Sequence, residues 1–476
     1  MTASAALEHL WSLAGCDAAA LDDIRLSGED PGLPSVYRVG TLASASIGAQ
    51  ALAAAECHRM RTGARQRVEI EQRRALAVFR SERYLRIDDG PAPELRDPLM
   101  GFYETRDGRW IQLHTNFPHH RHGVVNLLGC ADNHAGVSAA IRDWDGAALD
   151  QALADAGLCA ALIRSPIEWS EHPHAKALAS LPLLEIERIE ECGVAHAPPM
   201  PIGRSGADTS GAGDARPLRG VRVLELSRVI AGPVAGRTLA QHGADVLLVN
   251  GPHLPNIAPL VIDNGRGKRS ALLDLRRGDE RATLASLVQE ADVFLQAYRP
   301  GSLAALGFSP QALARARPGI VYVSISAYGH QGPWAQRRGF DSLVQSASGI
   351  AWTEREAAGA CAPKHLPCQA LDHATGYLAA FGAMAALMRR AVEGGSWHVR
   401  VSLAQTGRWL QSFGTLADGW RAPDVTLDDV SDLMHTMDSP FGKVLAAAPA
   451  ERMPETPPRF DLPPAPLGAD AARWAA

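Results

Sequence analysis

The sequence predicts an α/β fold, with a doubly wound, Rossmann-like parallel sheet in its C-terminal half and a smaller mixed α+β domain ahead of it. Three observations carry this expectation. From Gly220 onward, short apolar runs alternate with helical stretches in the rhythm of βαβ units. Before them, residues 197–217 (APPMPIGRSGADTSGAGDARP) have linker chemistry, rich in Pro, Gly, Ser and Ala with few large apolar residues. Earlier still, an RDG turn between apolar runs in residues 97–120 marks a hairpin.

Taken in order, VRVLEL (221–226) is the first strand of the sheet, followed by the loop SRVIAGP, a helix through VAGRTLAQHG and a second strand, ADVLLV (244–249). Strand, helix and strand so close together imply a right-handed crossover and parallel pairing. The alternation continues through SALLDL (270–275), the helix ERATLASLVQEA (280–291), DVFLQA (292–297) and IVYVSIS (320–326). The rest of the chain divides around this core. Residues 1–90 read as an N-terminal helical region with a helix–strand unit, 91–196 as the small mixed domain, 197–216 as the linker and 217–424 as the sheet domain. In the tail, 425–476, the prolines of PETPPRFDLPPAPLGAD exclude regular helix or central strand. Such a tail is either disordered or an extended strap over the body.

An internal repeat relates the two halves. Residues 39–79 (VGTLASASIGAQALAAAECHRMRTGARQRVEIEQRRALAVF) share the plan of residues 373–413 (HATGYLAAFGAMAALMRRAVEGGSWHVRVSLAQTGRWLQSF). Each has an Ala-rich helix, a basic last turn, a Gly turn, a short V-x-[IV] strand and another helix.

With 476 residues, the chain is too long for one compact core. Hydrophobic residues at 46% and charged residues at 21% describe an ordinary globular protein. A net charge of −5 with scattered basic residues argues against nucleic acid as a partner. No apolar stretch reaches the roughly 18–20 residues of a membrane span. The N-terminus lacks a basic n-region and is interrupted by Glu8 and His9, unlike a signal peptide. Seven cysteines without a C-x-x-C pair fit the reduced, buried thiols of a cytoplasmic protein rather than disulfides or a zinc ribbon. His119, His120 and His122 lack helical i, i+4 spacing or a carboxylate partner, so a polar surface loop is expected there and no metal.

In an open parallel sheet, ligands bind at the carboxyl ends of the strands. Four segments reach that edge. Val229-Ile230-Ala231-Gly232-Pro233 leads into a helix, with Gly232 and Pro233 allowing close approach to free N–H groups. Asn264–Arg269 reads as a basic, glycine-loosened loop, Tyr298-Arg299-Pro300-Gly301 adds an aromatic and a cation, and Ser326–Pro333 ends the last strand. Each alone is compatible with an ordinary turn. Together they suit a nucleotide bearing phosphates and an adenine ring. A dinucleotide is disfavoured, since no G-x-G-x-x-G is present.

The segments GVRVLELSRVIAGP, GADVLLV, NGRGKRSALLDL, ADVFLQAYRPGSLAALGFS, IVYVSISAYGHQGP and GFDSLVQSASGI, with the run Asp372–Ser402, resemble the signature segments of the class III (CaiB/BaiF) CoA-transferases in order and spacing over residues 217–414. Residues 39–120 resemble that family's later helix–strand unit and small domain, so the halves are permuted or duplicated relative to the usual order. The resemblance implies the family's α/β fold, an acyl-CoA and a small carboxylic acid as substrates, and an interlocked homodimer. It also implies a coenzyme A site at Val229, Ile230, Ala231, Arg266, Lys268, Arg269, Tyr298 and Arg299.

Two departures stand out. Asn250-Gly251-Pro252 replaces the family's Glu-Arg-Pro, removing one phosphate contact or leaving it to His253. The register of the family's nucleophilic Asp holds Gln405, and the corresponding register of the first repeat holds Arg74. Neither side chain can attack a thioester as a carboxylate does. Asp372 and His373, at the start of the long Ala-rich helix, are the remaining candidates for catalysis; Asp372 is equally placed to be a helix N-cap, and His373 to be a first-turn solvent residue. Asp341 is expected to orient a loop. The leading function is therefore CoA transfer between carboxylic acids. The alternatives are racemase- or isomerase-type proton chemistry at an acyl-CoA α-carbon through His373, or a CoA-binding relative without turnover.

Overall fold

The computed structural model describes residues 1–189, 197–203 and 216–475. The first unit opens with helix Ala3–Leu13 and strand β1 (Ile24–Ser27). Helix Val39–Thr62 follows, buried along most of its length, and ends at Gly63, whose φ of +79° suits glycine. Strand β2 (Val68–Glu71) then pairs in parallel with β1, Ile24 opposite Val68, and runs into helix Gln72–Val78. A short β3 (Arg86–Ile87) closes the unit.

The expected hairpin is present. Strands β4 (Gly101–Glu104) and β5 (Trp110–Leu113) are antiparallel, and β6 (Ala160–Leu162) joins the far edge of β5. Helices Pro118–Leu128, His134–Ile141 and Gly146–Asp155 accompany this sheet. Leu99, Tyr103, Ile111, Val124 and Leu149 form its own apolar core.

The main sheet has seven strands: β7 (Glu185–Arg188), β8 (Arg222–Leu226), β9 (Asp245–Asn250), β10 (Lys268–Leu272), β11 (Val293–Gln296), β12 (Val321–Ser326) and β13 (Trp397–Ser402). Their spatial order is β10-β9-β8-β11-β12-β13-β7, all parallel except β7, which runs antiparallel beside β13. The central strands are nearly all apolar because both faces are covered. This is the doubly wound α/β arrangement. The order reverses between β8 and β11, which opens a crevice at their carboxyl ends.

Two differences from the sequence reading concern regular structure. Residues 258–265 form a helix where a loop was expected at 264–269, and Lys268 and Arg269 already belong to β10. The first part of the tail is a hairpin, β14 (Met434–Ser439) with β15 (Gly442–Ala447), which pairs with β3; a two-residue β16 (Glu451–Arg452) extends β2. The remainder is an ordered strap. The Gly267 N–H donates to the Leu462 carbonyl, the Asp470 N–H donates to the Ser270 carbonyl, and Trp474 is buried with its indole N–H on the Leu287 carbonyl. Of the expected linker, residues 204–215 lie outside the described residues. The stretch 197–203 is held to the body, with the Gly395 N–H donating to Ala197 at 2.8 Å.

The two repeat units carry helices of equal length, Val39–Thr62 and Ala370–Glu393, 24 residues each, and these pack against each other. Their alanines allow that contact. Helix Ala231–Gln241 also packs against Ala370–Glu393. A Cβ on Gly376 would stand 2.6 Å from the Ala231 carbonyl oxygen, so glycine there lets the loop after β8 approach the helix that bears Asp372. No helix among the described residues is long and apolar enough to cross a membrane.

Candidate active site

The crevice at the β8/β11 switch point is a cleft of about 360 Å³ between the two halves of the chain. The main sheet supplies residues 228–232 after β8, 297–300 after β11 and 325–328 at the end of β12 and just beyond it. The small domain supplies Phe117, His119, His120 and Cys159. Val229 is the most unusual of these residues. Its φ is +75°, a genuine outlier for a β-branched side chain, and such strain concentrates at functional sites. It brings Ile230 and the uncapped start of helix Ala231–Gln241 to the cleft.

Of the eight residues implied for coenzyme A, five meet here: Val229, Ile230, Ala231, Tyr298 and Arg299. The other three do not. Arg266 is buried, bonds Asp263 Oδ1 at 2.7 Å and the Ala447 carbonyl at 2.6 Å, and lies over the Phe460 ring of the strap. Lys268 is buried against Glu225 Oε2 at 2.7 Å and the Pro233 carbonyl. Arg269, near the amino end of its strand, is tied to Asp245 and to the Arg473 carbonyl. The basic cluster read as phosphate ligands is consumed by internal ion pairs. Asp263 stands three positions before Arg266, whereas Glu225 and Asp245 are far in sequence from Lys268 and Arg269 and could not be matched to them by spacing.

The cleft has other cations instead. Arg228 stacks its guanidinium over Phe117 and donates to the Pro255 carbonyl; Arg338 and Arg299 have no carboxylate partner among the described residues. Arg337, beside them, is already committed to Asp150. The small domain's histidines report this field. Burial first, then Arg338 and Arg228, holds His119 below its usual range, while burial and the neighbouring His119 hold His120 at about 3. These histidines sit on a helix begun by Pro118, not on a surface loop; His119 and His122 are exposed and His120 is buried. His120 Nε2 lies 3.4 Å from the Cys159 thiol, which burial pushes up to about 12 and so leaves protonated. Among the described residues no group of three His, Cys, Asp or Glu side chains is placed to hold a metal ion.

Asp372 lines the cleft as its sole carboxylate among the described residues. It does not cap its helix. That role falls to Asp341, whose Oδ2 accepts the N–H groups of Leu371 at 2.8 Å and Asp372 at 2.9 Å. Asp341 itself is pushed up to about 6 by burial, and Asp372 is pushed well above the usual carboxylate range by burial, then by the charges of Asp341 and Glu82. His373 is neither a solvent residue nor a cleft residue. It is fully buried, with Nε2 3.0 Å from Glu82 Oε2 and its ring stacked on Phe79.

Gln405 lines a smaller adjoining cavity of about 130 Å³, together with Tyr298 and Arg299. Its amide Nε2 is within donating distance of three backbone carbonyls, Leu178 at 3.0 Å, Leu181 at 2.6 Å and Pro182 at 3.1 Å. In the matching register of the first unit, Arg74 donates to the carbonyls of Pro449 and Ala450. Both units thus use a donor to tether a neighbouring segment. A carboxylate in either place would meet carbonyl oxygens.

Residues 218–429 match the family model described as CoA-transferase family III. An acyl-CoA transferase of Gibberella moniliformis is 29% identical over 421 residues, covering 77% of this chain and 72% of that protein. An acetyl-coenzyme A transferase of Hypoxylon pulicicidum is 36% identical over 205 residues, 42% of this chain and 35% of that protein. A probable fatty acyl-CoA transferase of Mycobacterium tuberculosis is 34% identical over 211 residues, 42% of this chain and 53% of that protein. The chain therefore spans about a third to about half the length of the last two relatives.

Proposed function

We propose that this chain, whose residues 218–429 match CoA-transferase family III, moves coenzyme A between an acyl-CoA and a small carboxylic acid in the cleft between its halves. The observation that carries this reading is the place of Asp372, a lone carboxylate in a cleft whose cations, Arg228, Arg299 and Arg338, lack carboxylate partners among the described residues. Guanidinium groups in that state suit the phosphates of coenzyme A, and the Tyr298 ring suits its adenine. Val229, Ile230 and Ala297 offer an apolar path for the pantetheine arm. The uncapped N–H groups opening helix Ala231–Gln241 suit the thioester oxygen as it gains charge.

In this reading the ionised Asp372 attacks the thioester carbon. The C–S bond breaks, the CoA thiolate leaves and the acyl group remains as a mixed anhydride. Return of the thiolate to the aspartyl carbonyl frees the donor acid as a carboxylate and leaves an aspartyl–CoA thioester. The acceptor carboxylate attacks that thioester, displacing the thiolate again. Attack of the thiolate on the acceptor's own carbonyl yields the new acyl-CoA and restores Asp372. A carboxyl group with a raised pKa is a more basic nucleophile once ionised, and so suits the first step.

The test is mass spectrometry after incubation with acyl-CoAs and free acids, with hydroxylamine added to trap activated acyl groups. Exchange of the CoA moiety together with a hydroxamate on the Asp372 peptide is expected. Tight CoA binding without exchange for any pair of acids would instead establish a binding protein. Exchange with the adduct on another peptide would move the nucleophile elsewhere.

A further inference from the structure

We propose that Gln296 and Ser324 are positioning residues for coenzyme A, holding the Tyr298-Arg299 pair on the cleft side of a wall that has a second cavity behind it. The proposal rests on the reading of the cleft as the coenzyme A site. Tyr298 and Arg299 line both that cleft and the adjoining cavity of about 130 Å³. They therefore form a partition between two spaces, and a long side chain such as arginine has rotamers that reach into either. No carboxylate among the described residues pairs with Arg299 to choose for it.

What fixes the turn is a row of polar side chains on one face of the main sheet. Gln296 on β11 and Ser324 on β12 are paired in register, so both project from the same face. His398 on β13 stands opposite Tyr322, two positions before Ser324, and projects from that face as well. The Ala297 N–H still reaches β8, donating to the Leu226 carbonyl at 3.2 Å. One residue on, the Tyr298 N–H donates instead to Gln296 Oε1 at 2.9 Å, so a side chain ends the strand and sets the turn. With its oxygen committed there, the Gln296 amide donates through Nε2 to Ser324 Oγ at 3.1 Å. Ser324 Oγ lies 2.9 Å from His398 Nε2. Burial, then the charges of Arg400 and His330, holds His398 at about 3 and keeps its ring neutral. A neutral ring lets Nε2 accept the hydroxyl hydrogen, and every bond then runs one way, from the Tyr298 N–H through Gln296 and Ser324 to His398. Breaking the row at any member strands buried polar groups at the next and frees residues 298 and 299 to turn toward the second cavity.

The test titrates coenzyme A calorimetrically into the full chain, unaltered and as Gln296→Met, Ser324→Ala and Ser324→Thr. Gln296→Met and Ser324→Ala should each raise Kd about fivefold, the effect of one lost hydrogen bond, while Ser324→Thr keeps the hydroxyl and should stay within about twofold. A merely structural role would lower the melting temperature and leave the Kd of the folded protein alone. The route through the partition is read from a double variant: with Arg299→Ala already in place, Ser324→Ala should raise Kd by less than about twofold more. Unchanged affinity in both single variants, or losses that multiply in full with Arg299→Ala, would overturn the proposal. Should Gln296→Met not fold, Ser324→Ala, which removes a single oxygen atom, decides alone. An unaltered chain that binds no coenzyme A would sink the transferase reading and this proposal with it, a result distinct from unchanged affinities in the variants.

Discussion

The carboxylate of Asp341 accepts the backbone N–H of Asp372 at 2.9 Å, so one buried acid orders the helix turn that presents another. The price of this arrangement is two neighbouring buried carboxyl groups, Asp341 raised by burial and Asp372 raised by burial and then by the charge of Asp341. Asp341→Asn should keep the cap, since Asn also accepts from N–H groups, and remove the charge. The pH at which activity appears should then fall, because Asp372 loses a neighbouring anion. Asp341→Ala should lose the cap, at about 0.5–2 kcal/mol in denaturant unfolding.

The same pair sets a pH dependence of stability. The folded pKa of Asp341 is raised from 3.8 to about 6, so the folded protein retains a proton that the unfolded chain releases. Its contribution to stability is fully present below about pH 3.8 and is lost as the pH rises through about 6. Stability curves of the unaltered protein and Asp341→Asn should therefore diverge across that window. Parallel curves would mean that Asp341 is not protonated in the fold.

Asp372→Asn should fold normally and bind coenzyme A with little change, while exchange falls on the order of a thousandfold or more. Full activity in this variant would place the catalyst elsewhere.

Arg299→Ala should weaken coenzyme A binding by about 1–3 kcal/mol with unchanged melting behaviour. Lys268→Ala should behave in the opposite way. It strands the buried Glu225 carboxylate and should cost stability by about 3–5 kcal/mol. Calorimetry and thermal unfolding on the same two variants separate ligand contact from internal ion pair.

Gln405→Asp should not create a better transferase. The shorter acidic side chain loses the donors that hold Leu178, Leu181 and Pro182 and turns an anion toward their carbonyls, at a cost of about 1–3 kcal/mol or more. A gain in exchange rate would contradict the tethering role.

Much of the fold was legible in the sequence because buried parallel strands are written as continuous apolar runs: VRVLEL, ADVLLV, DVFLQA and IVYVSIS each correspond to a strand within a residue or so. The loop at Val229–Ala231 and the Tyr298-Arg299 pair were visible because topology sends the carboxyl ends of neighbouring strands to one edge. Helix Ala258–Gly265 was missed because Asn264-Gly265 at its end looks like the start of a glycine-loosened loop, although Pro259 suits a helix start. The loss of Lys268 to an ion pair was invisible for another reason. Lys268 meets Glu225, 43 positions earlier, through sheet packing rather than spacing. Arg228, Arg338 and the small domain's histidines acquire their role only when two distant segments close over the crevice.

Strand β16 pairs Glu451 with Ile70 and Arg452 with Glu69, completing a sheet whose other members lie near the beginning of the chain. A growing polypeptide has to wait for this partner. At ordinary translation rates of about 5–20 residues per second, β2 spends on the order of half a minute with that edge open before β16 is made. The first unit cannot reach its final form as it leaves the ribosome, and its open edge is the place where a chaperone or a second nascent chain would attach.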